Sequence, residues 1–470
     1  MLFPTLSFHV FFIIVFTLNW LMRRAGDWRQ IMLLVASWIF YGAWDWRFVA
    51  LLQTSAILNW GAARLIVHAQ SNQRRQKQWV LLGVTLNLLI LGFFKYFDFF
   101  TEQLGVLLES LGWGRDVAVL GIMLPVGISF FTFQGMSYLI DVYQGKSKPA
   151  RLLELTLLMS FFPHLVAGPI VRPSHILPQL RRPPRLTRAM AATSLILILW
   201  GVVKKAVIAN ELSVYFVDPV FSDPTSHTGL ELLLAAYGYA VQIYCDFSAY
   251  SDMAIGLACL LGFRFPYNFN QPYRSASLQE FWRRWHLSLS SWLRDYLYIA
   301  ALGGSRQTFA KTCLALFTTM VLGGLWHGAS WNFVIWGTLH GGALVAERLW
   351  MRIKPTCLGV LPRWIRVVIT FHFVTLAWIF FRCREFSTAQ DYLGGIFTQG
   401  TNLTLASPWM MTLILLGMSC HFGPRDAIQR LGARAKAMPA WTFATAGVCV
   451  LLIVEGLRGA GVAAFIYFQF

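Results

Sequence analysis

Two histidines stand where ordinary membrane packing does not readily explain them. His286 lies in QEFWRRWHLSLSSWLRDYLYIALGG (279–303), a basic, tryptophan-rich stretch, and His327 in GGLWHGASWNF (323–333), between small residues in an otherwise apolar run. A neutral imidazole titrates near 6.5 when unperturbed, so at cytoplasmic pH it can accept a proton and return it. Gly323, Gly324 and Gly328 flank His327 and predict open space around its ring, which a packed structural histidine does not need. If 279–298 is one helix, Trp282, His286, Leu289 and Leu293 share a face by their spacing of three and four, and Arg283, Arg284 and Arg294 lie elsewhere. An interfacial amphipathic helix accounts for those arginines without chemistry, but His286 faces with the apolar set.

Further candidates surround the pair. Trp326, Trp285, Trp282, Ser330 and Asn332 are candidate substrate- or tunnel-lining residues, and an indole N–H such as that of Trp326 can hold a donor or steady a developing oxyanion. YCDFSAYSDMAIG (244–256) places Asp246 and Asp252 in an apolar context; with Arg294 they are expected as supporting or helix-pairing groups. His340, followed by Gly341 and Gly342, is a weaker candidate, and His164 is expected to cap a broken helix beside Pro163. There is no G-x-S-x-G elbow and no H-E-x-x-H pair, and Gly145-Lys146-Ser147 has Ile140 where a phosphate loop requires glycine. A serine nucleophile, a zinc site and a nucleotide fold are therefore set aside. No metal site and no permanently bound cofactor is expected. The seven cysteines are scattered without a C-x-x-C pair and read as small hydrophobes.

The elements that must carry these groups are membrane helices. Of 470 residues, 57% are hydrophobic and only 13% charged, about half the charge of a soluble protein. The net charge of +18 falls in short basic clusters between apolar runs, the pattern of cytoplasmic loops rather than of a nucleic-acid binder. Such clusters lie at Arg64 to Lys77, Lys146 to Arg151, Arg172 to Arg188, Arg352 to Arg366 and Arg425 to Lys436. They would also suit an anionic donor arriving from the cytoplasm. The run Phe3 to Met22 has no basic residue ahead of it and Arg23 and Arg24 behind it, which reads as an uncleaved first helix with its N-terminus outside.

Further apolar runs follow near 31–44, 47–67, 79–94, 117–133, 152–170, 190–209, 229–245, 253–263, 312–325, 329–346, 365–381, 408–420 and 441–454. At about 20 residues per crossing they predict about 10 to 12 crossings plus re-entrant and interfacial helices in one polytopic domain over 1–470. LPVGISFFTFQGMSYLIDVYQG (124–145) and SFFPHLVAGPIVRP (160–173) are interrupted by Pro and Gly and should kink or unwind.

PVGISFFTFQGMSYLIDVYQG, FFPHLVAGPIVRP, YCDFSAYSDMAIGLACLLGFRFPYNFNQPY, EFWRRWHLSLSSWLRDYLYI and GLWHGASWNFVIWG together resemble the membrane-bound O-acyltransferase superfamily, and within it the bacterial alginate and cellulose polysaccharide O-acetyltransferases. The likeness extends to the closing FIYFQF and departs at Ala249 and Ser305, where Gly and Asn are expected. It implies an all-α fold of tilted helices around a central tunnel in the bacterial inner membrane. In that fold His327 matches the essential histidine at the narrowing, and His286 the second motif histidine. It implies an acetyl group drawn from a cytoplasmic thioester, acetyl-CoA or another acetyl carrier. That group would reach an exopolysaccharide with help from periplasmic SGNH-type acetyltransferases and secretion proteins.

Read without the resemblance, the chain also fits a transporter or flippase, since broken helices and intramembrane charges mark transport sites, or a structural subunit of a secretion complex. The absence of an evident inverted repeat counts against transport. Loss of acetylation on removing His327 separates the classes.

Overall fold

The computed structural model describes residues 3, 5–113, 119–353, 361–424 and 426–457. Cys357, Arg425, part of the basic stretch 352–366 and the closing FIYFQF lie outside them. The described residues form helices and connecting loops, with no strand among them. They group into two compact units: Met1–Thr187 with Leu257–Pro266, and Arg188–Gly256 with Tyr267–Phe470.

The first unit contains α1 (Leu6–Leu21), α2 (Asp27–Asp45), α3 (Arg47–His68), α4 (Gln73–Ser110), α5 (Ile128–Tyr143), α6 (Leu152–Ser160), α7 (Phe162–Leu165) and α8 (Pro173–Leu180). Side-chain oxygens start two of them: Thr5 accepts from the Phe8 N–H and Asn72 from the Arg75 N–H. With 38 residues α4 is about 57 Å long, and Leu81, Leu82, Leu88, Leu89 and Phe93 stay exposed along it. Where polar groups enter this apolar setting they are paired. Asn59 of α3 and Asn87 of α4 exchange amide hydrogen bonds of 2.9 and 3.1 Å, both side chains being buried.

The two interrupted stretches behave differently. Over the expected run 117–133, residues 119–127 are non-helical, tied by the Leu120 and Ile122 N–H groups to the Asp98 carboxylate. The helix starts only after Gly127, whose φ of 78° and the Leu165 carbonyl against its missing Cβ together require glycine. The run 152–170 breaks as expected: Phe161 is extended between α6 and α7, and His164 Nε2 meets the Leu158 carbonyl at 3.1 Å, capping the end of α6.

The second unit begins with α9 (Arg188–Val203), which continues through a π-helical stretch Lys204–Ala209, α10 (Asn210–Leu212), a second π stretch Ser213–Val217 and α11 (Asp218–Ser222). Next comes α12 (Gly229–Leu260), one 32-residue helix over both of the runs 229–245 and 253–263, its end from Leu257 belonging to the first unit. The carboxylates between those runs do not break it because each is neutralised. Lys205 pairs with Asp246 at 2.8 Å, and Lys204 with Asp252 at 2.7 Å and with the Ser248 hydroxyl at 2.7 Å. The partners are lysines of the first π stretch, where arginine is the usual choice.

After these come α13 (Leu278–Trp282), α14 (Leu287–Trp292) with a π continuation Leu293–Ala301, α15 (Phe309–His327), α16 (Trp331–Ile353), α17 (Arg363–Arg382), α18 (Phe386–Thr398), α19 (Pro408–Ser419), α20 (Ala427–Ala435) and α21 (Ala440–Leu457). Among the described residues, four helical stretches are long and apolar enough to cross a bilayer: Gln73–Ser110, Arg188–Ser222, Phe309–His327 and Arg363–Arg382.

Candidate active site

The site is built where α15 ends and α16 begins, and the two helices approach closely because glycines let them. A Cβ on Gly324 would strike the Phe333 carbonyl, one on Gly337 would lie 2.6 Å from the Met320 carbonyl, and one on Gly341 3.1 Å from the Phe317 carbonyl. Gly328 is likewise filled by the Phe333 ring. This corrects the expectation of open space around His327. Gly324 serves helix–helix backbone approach and Gly328 makes room for the Phe333 ring, and only Gly323 is little crowded, with a Leu293 methyl at 3.2 Å from its built Cβ. His327 is the last residue of α15 and sits inside an aromatic surround: ring centroids of Trp326, Phe381 and Trp336 lie at 4.9, 5.0 and 5.2 Å. It is buried but keeps 6% of its surface accessible, whereas His286 and His340 keep none.

His286 is held by its backbone. The single helix expected over 279–298 does not form; α13 stops at Trp282 and α14 starts at Leu287. Between them His286 adopts φ 42° and ψ 57°, a left-handed conformation that costs a non-glycine residue about 1–3 kcal/mol. The segment 268–270 replaces the helical bonds. The Asn268 carbonyl accepts from the Leu287 N–H at 2.9 Å, Asn268 Oδ1 from the Ser288 hydroxyl at 2.6 Å, and the Arg284 carbonyl from the Asn270 N–H at 2.9 Å. Asn268 is itself fixed by donating to Ser251 at 3.1 Å. The imidazole so placed meets Phe247 at 4.6 Å and Trp326 at 6.2 Å, and its Nε2 has no hydrogen-bond partner among the described residues.

One indole, Trp326, therefore touches both histidines singled out by sequence. Beyond His327 the contacts continue through Trp336 to His340, at 4.8 Å, and Trp282 packs on both Trp336 and His340. His340 is fully buried with both ring nitrogens unpaired, so the structure gives it more weight than its sequence context did. Trp285 forms a wall with Trp378 and Phe281.

The remaining candidates take other roles. Arg294 does not join the cluster; its side chain is 61% exposed and pairs with the adjacent Asp295. Ser330 Oγ accepts from the Asn332 N–H at 3.3 Å, and Asn332 Nδ2 donates to the Cys383 carbonyl at 2.8 Å, tying the start of α16 to the end of α17. Asp246 and Asp252 are the ion pairs described above. Asp252 and Lys204 also border a cavity of about 950 Å³, whose wall includes Leu287, next to His286, and Phe269, Trp200 and Cys420. Sequence reasoning missed Lys204, Lys205 and Asn268; two adjacent lysines beside an apolar run were the available signal for the first two.

Residues 39–390 match the family described as MBOAT, membrane-bound O-acyltransferase family. The chain belongs to this family. It is 40% identical over 376 residues to the Probable alginate O-acetylase AlgI of Pseudomonas aeruginosa, covering 80% of this chain and 71% of that protein. It is 36% identical over 468 residues to the protein of the same name from Pseudomonas putida, covering 94% and 95%. It is also 36% identical over 369 residues to the Peptidoglycan O-acetyltransferase of Helicobacter pylori, covering 73% and 68%. The chain is thus a multi-pass membrane enzyme of acyl transfer, as the motif strings implied, and an all-helical one over its described residues.

Proposed function

We propose that this acyltransferase moves an acetyl group from a cytoplasmic thioester, acetyl-CoA or another acetyl carrier, across the inner membrane to hydroxyls of an exopolysaccharide such as alginate or cellulose. Periplasmic acetyltransferase and secretion partners complete or present the acceptor. The observation that carries the reading is that His286 and His327 both pack against the Trp326 indole. The single-domain reading of 1–470, with a tunnel through it, belongs to the same proposal.

The thioester carbonyl is already activated, so the protein must supply a base and keep water away. His327 takes the acceptor hydroxyl proton as the oxygen bonds to the acetyl carbon. The carbon–sulfur bond breaks, and the thiolate leaves with the proton that His327 returns. His286 and the Trp326 N–H steady the negative charge on the carbonyl oxygen. The aromatic surround of His327 supports the exclusion of water, and its remaining accessible edge supports access for a substrate.

The test is His327→Ala in native membranes. Insertion and abundance should match the unaltered protein, while polymer acetylation falls to background. Retained acetylation would overturn the proposal in favour of a scaffold or a transporter.

A further inference from the structure

The first unit holds a second concave site, whose lining includes none of the histidine-cluster residues. A cleft of about 480 Å³, within the range of small-ligand sites, is lined by Arg23, Arg24, Arg29, Arg151, Arg181 and Arg182. Only two carboxylates, Asp27 and Glu154, join them. These acids brace the walls: Arg151 bridges Asp27 at 2.8 Å and Glu154 at 3.2 Å, and Arg181 holds Glu154 at 2.8 Å. Arg29 is buried and spent on the Asn19 side chain and the Leu261 carbonyl. Arg23, Arg24 and Arg182 are exposed and make no ion pair among the described residues. The positive-inside tendency accounts for arginines in these loops but not for their convergence on one cleft.

We infer that this cleft binds the headgroup of an anionic phospholipid bearing a free glycerol hydroxyl. Three observations choose a lipid. The cleft opens where α1 ends, and α1 keeps Ile13, Ile14 and Leu21 exposed at 63%, 54% and 77%; in a membrane protein those side chains meet acyl chains. Arg23 and Arg24 follow directly after this apolar face and line the cleft, and basic pockets between helices of membrane proteins take phosphate headgroups. No aromatic residue lines the cleft, so a nucleobase has no stacking surface. Gln30 supplies the selectivity: it lines the cleft and is 3% exposed. It donates through Nε2 to the Leu180 carbonyl and keeps Oε1 without a partner, an acceptor suited to a hydroxyl.

The experiment is native mass spectrometry of the full chain released from bilayers of equal phosphatidylcholine, phosphatidylglycerol and phosphatidic acid. The unaltered protein should retain phosphatidylglycerol over phosphatidylcholine at least fivefold, with the preference falling as salt rises. Arg23→Gln/Arg24→Gln/Arg182→Gln should abolish it, whereas Arg74→Gln/Arg75→Gln/Lys77→Gln, equal in charge change but outside the cleft, should not. Gln30→Leu should erase only the preference over phosphatidic acid. Equal retention by both triple variants overturns the proposal. So does displacement of the lipid by inorganic phosphate or coenzyme A, which would make this a soluble-anion or donor site. If the first triple variant does not fold, the unaltered protein still decides: a lipid preference insensitive to salt or absent overturns the inference.

Discussion

A buried imidazole nitrogen without a protein partner costs about 1–3 kcal/mol, and His286 carries that cost at Nε2 on a backbone that is itself strained. The two burdens can be separated. His286→Gly should relieve the backbone, which offsets part of the cost of the cavity left by the buried ring, yet lose transfer activity. His286→Ala keeps the left-handed cost and should be less stable than the glycine variant by about 1 kcal/mol. Full activity in the glycine variant would reduce His286 to a turn-former. The types of both histidines were legible in sequence because an imidazole in an apolar run is unusual. The left-handed turn at His286 was not, because it is imposed by Asn268 and Asn270 from a separate loop. A periodicity of three and four continued across 283–286 and predicted a helix that tertiary hydrogen bonds displace.

Among elements, the α15–α16 hairpin gives the sharpest test, because its glycines differ in what surrounds them. Gly324→Ala places a methyl against the Phe333 carbonyl and should destabilise by about 1–3 kcal/mol and impair activity by shifting His327. Gly342→Ala, with nothing within 4 Å, should be neutral or slightly stabilising. Thermal unfolding in detergent distinguishes them, and equal behaviour would show that the close approach of the two helices is dispensable. The join between α9 and α12 gives another. Lys204→Met leaves Asp252 uncompensated and should cost about 3–5 kcal/mol, while Lys204→Met/Asp252→Leu should recover much of it. A double variant no better than the single one would mean that the pair acts on something other than its own charges. The long spans, and the break at Phe161, followed from apolar length and from Pro163 and Gly168. The union of 229–245 with 253–263 did not, since the lysines that neutralise Asp246 and Asp252 come from a π-helical stretch that local sequence does not reveal.

For the molecule as a whole, one acid-sensitive point should be a junction outside the spanning helices. Burial pushes the Glu280 carboxyl up, but the Ala276 N–H with the Arg363 and Arg284 guanidiniums outweighs it and holds the group at about 2, below its ordinary 4.5. Its contribution, about 2 kcal/mol after solvent screening, is present in full above pH 4.5 and is lost as pH falls towards 2. Glu280→Gln should lower the unfolding temperature at neutral pH, and the gap to the unaltered protein should narrow below about pH 4. A gap constant with pH would assign the loss to packing. Membrane class and family were legible from composition and the five motif strings. The guanidinium cleft of the first unit was not, because its arginines come from three separate loops and the first turn of α2.

The reciprocal amide pair between Asn59 and Asn87 carries a consequence for how the membrane part comes together. Each amide also donates to its own helix, Asn59 to the Ser55 carbonyl and Asn87 to the Gly83 carbonyl, so sliding α3 along α4 by a single turn would strand the second N–H and the oxygen of each. The two helices can enter the bilayer independently, but they mate at only one height, like a key cut for a single ward.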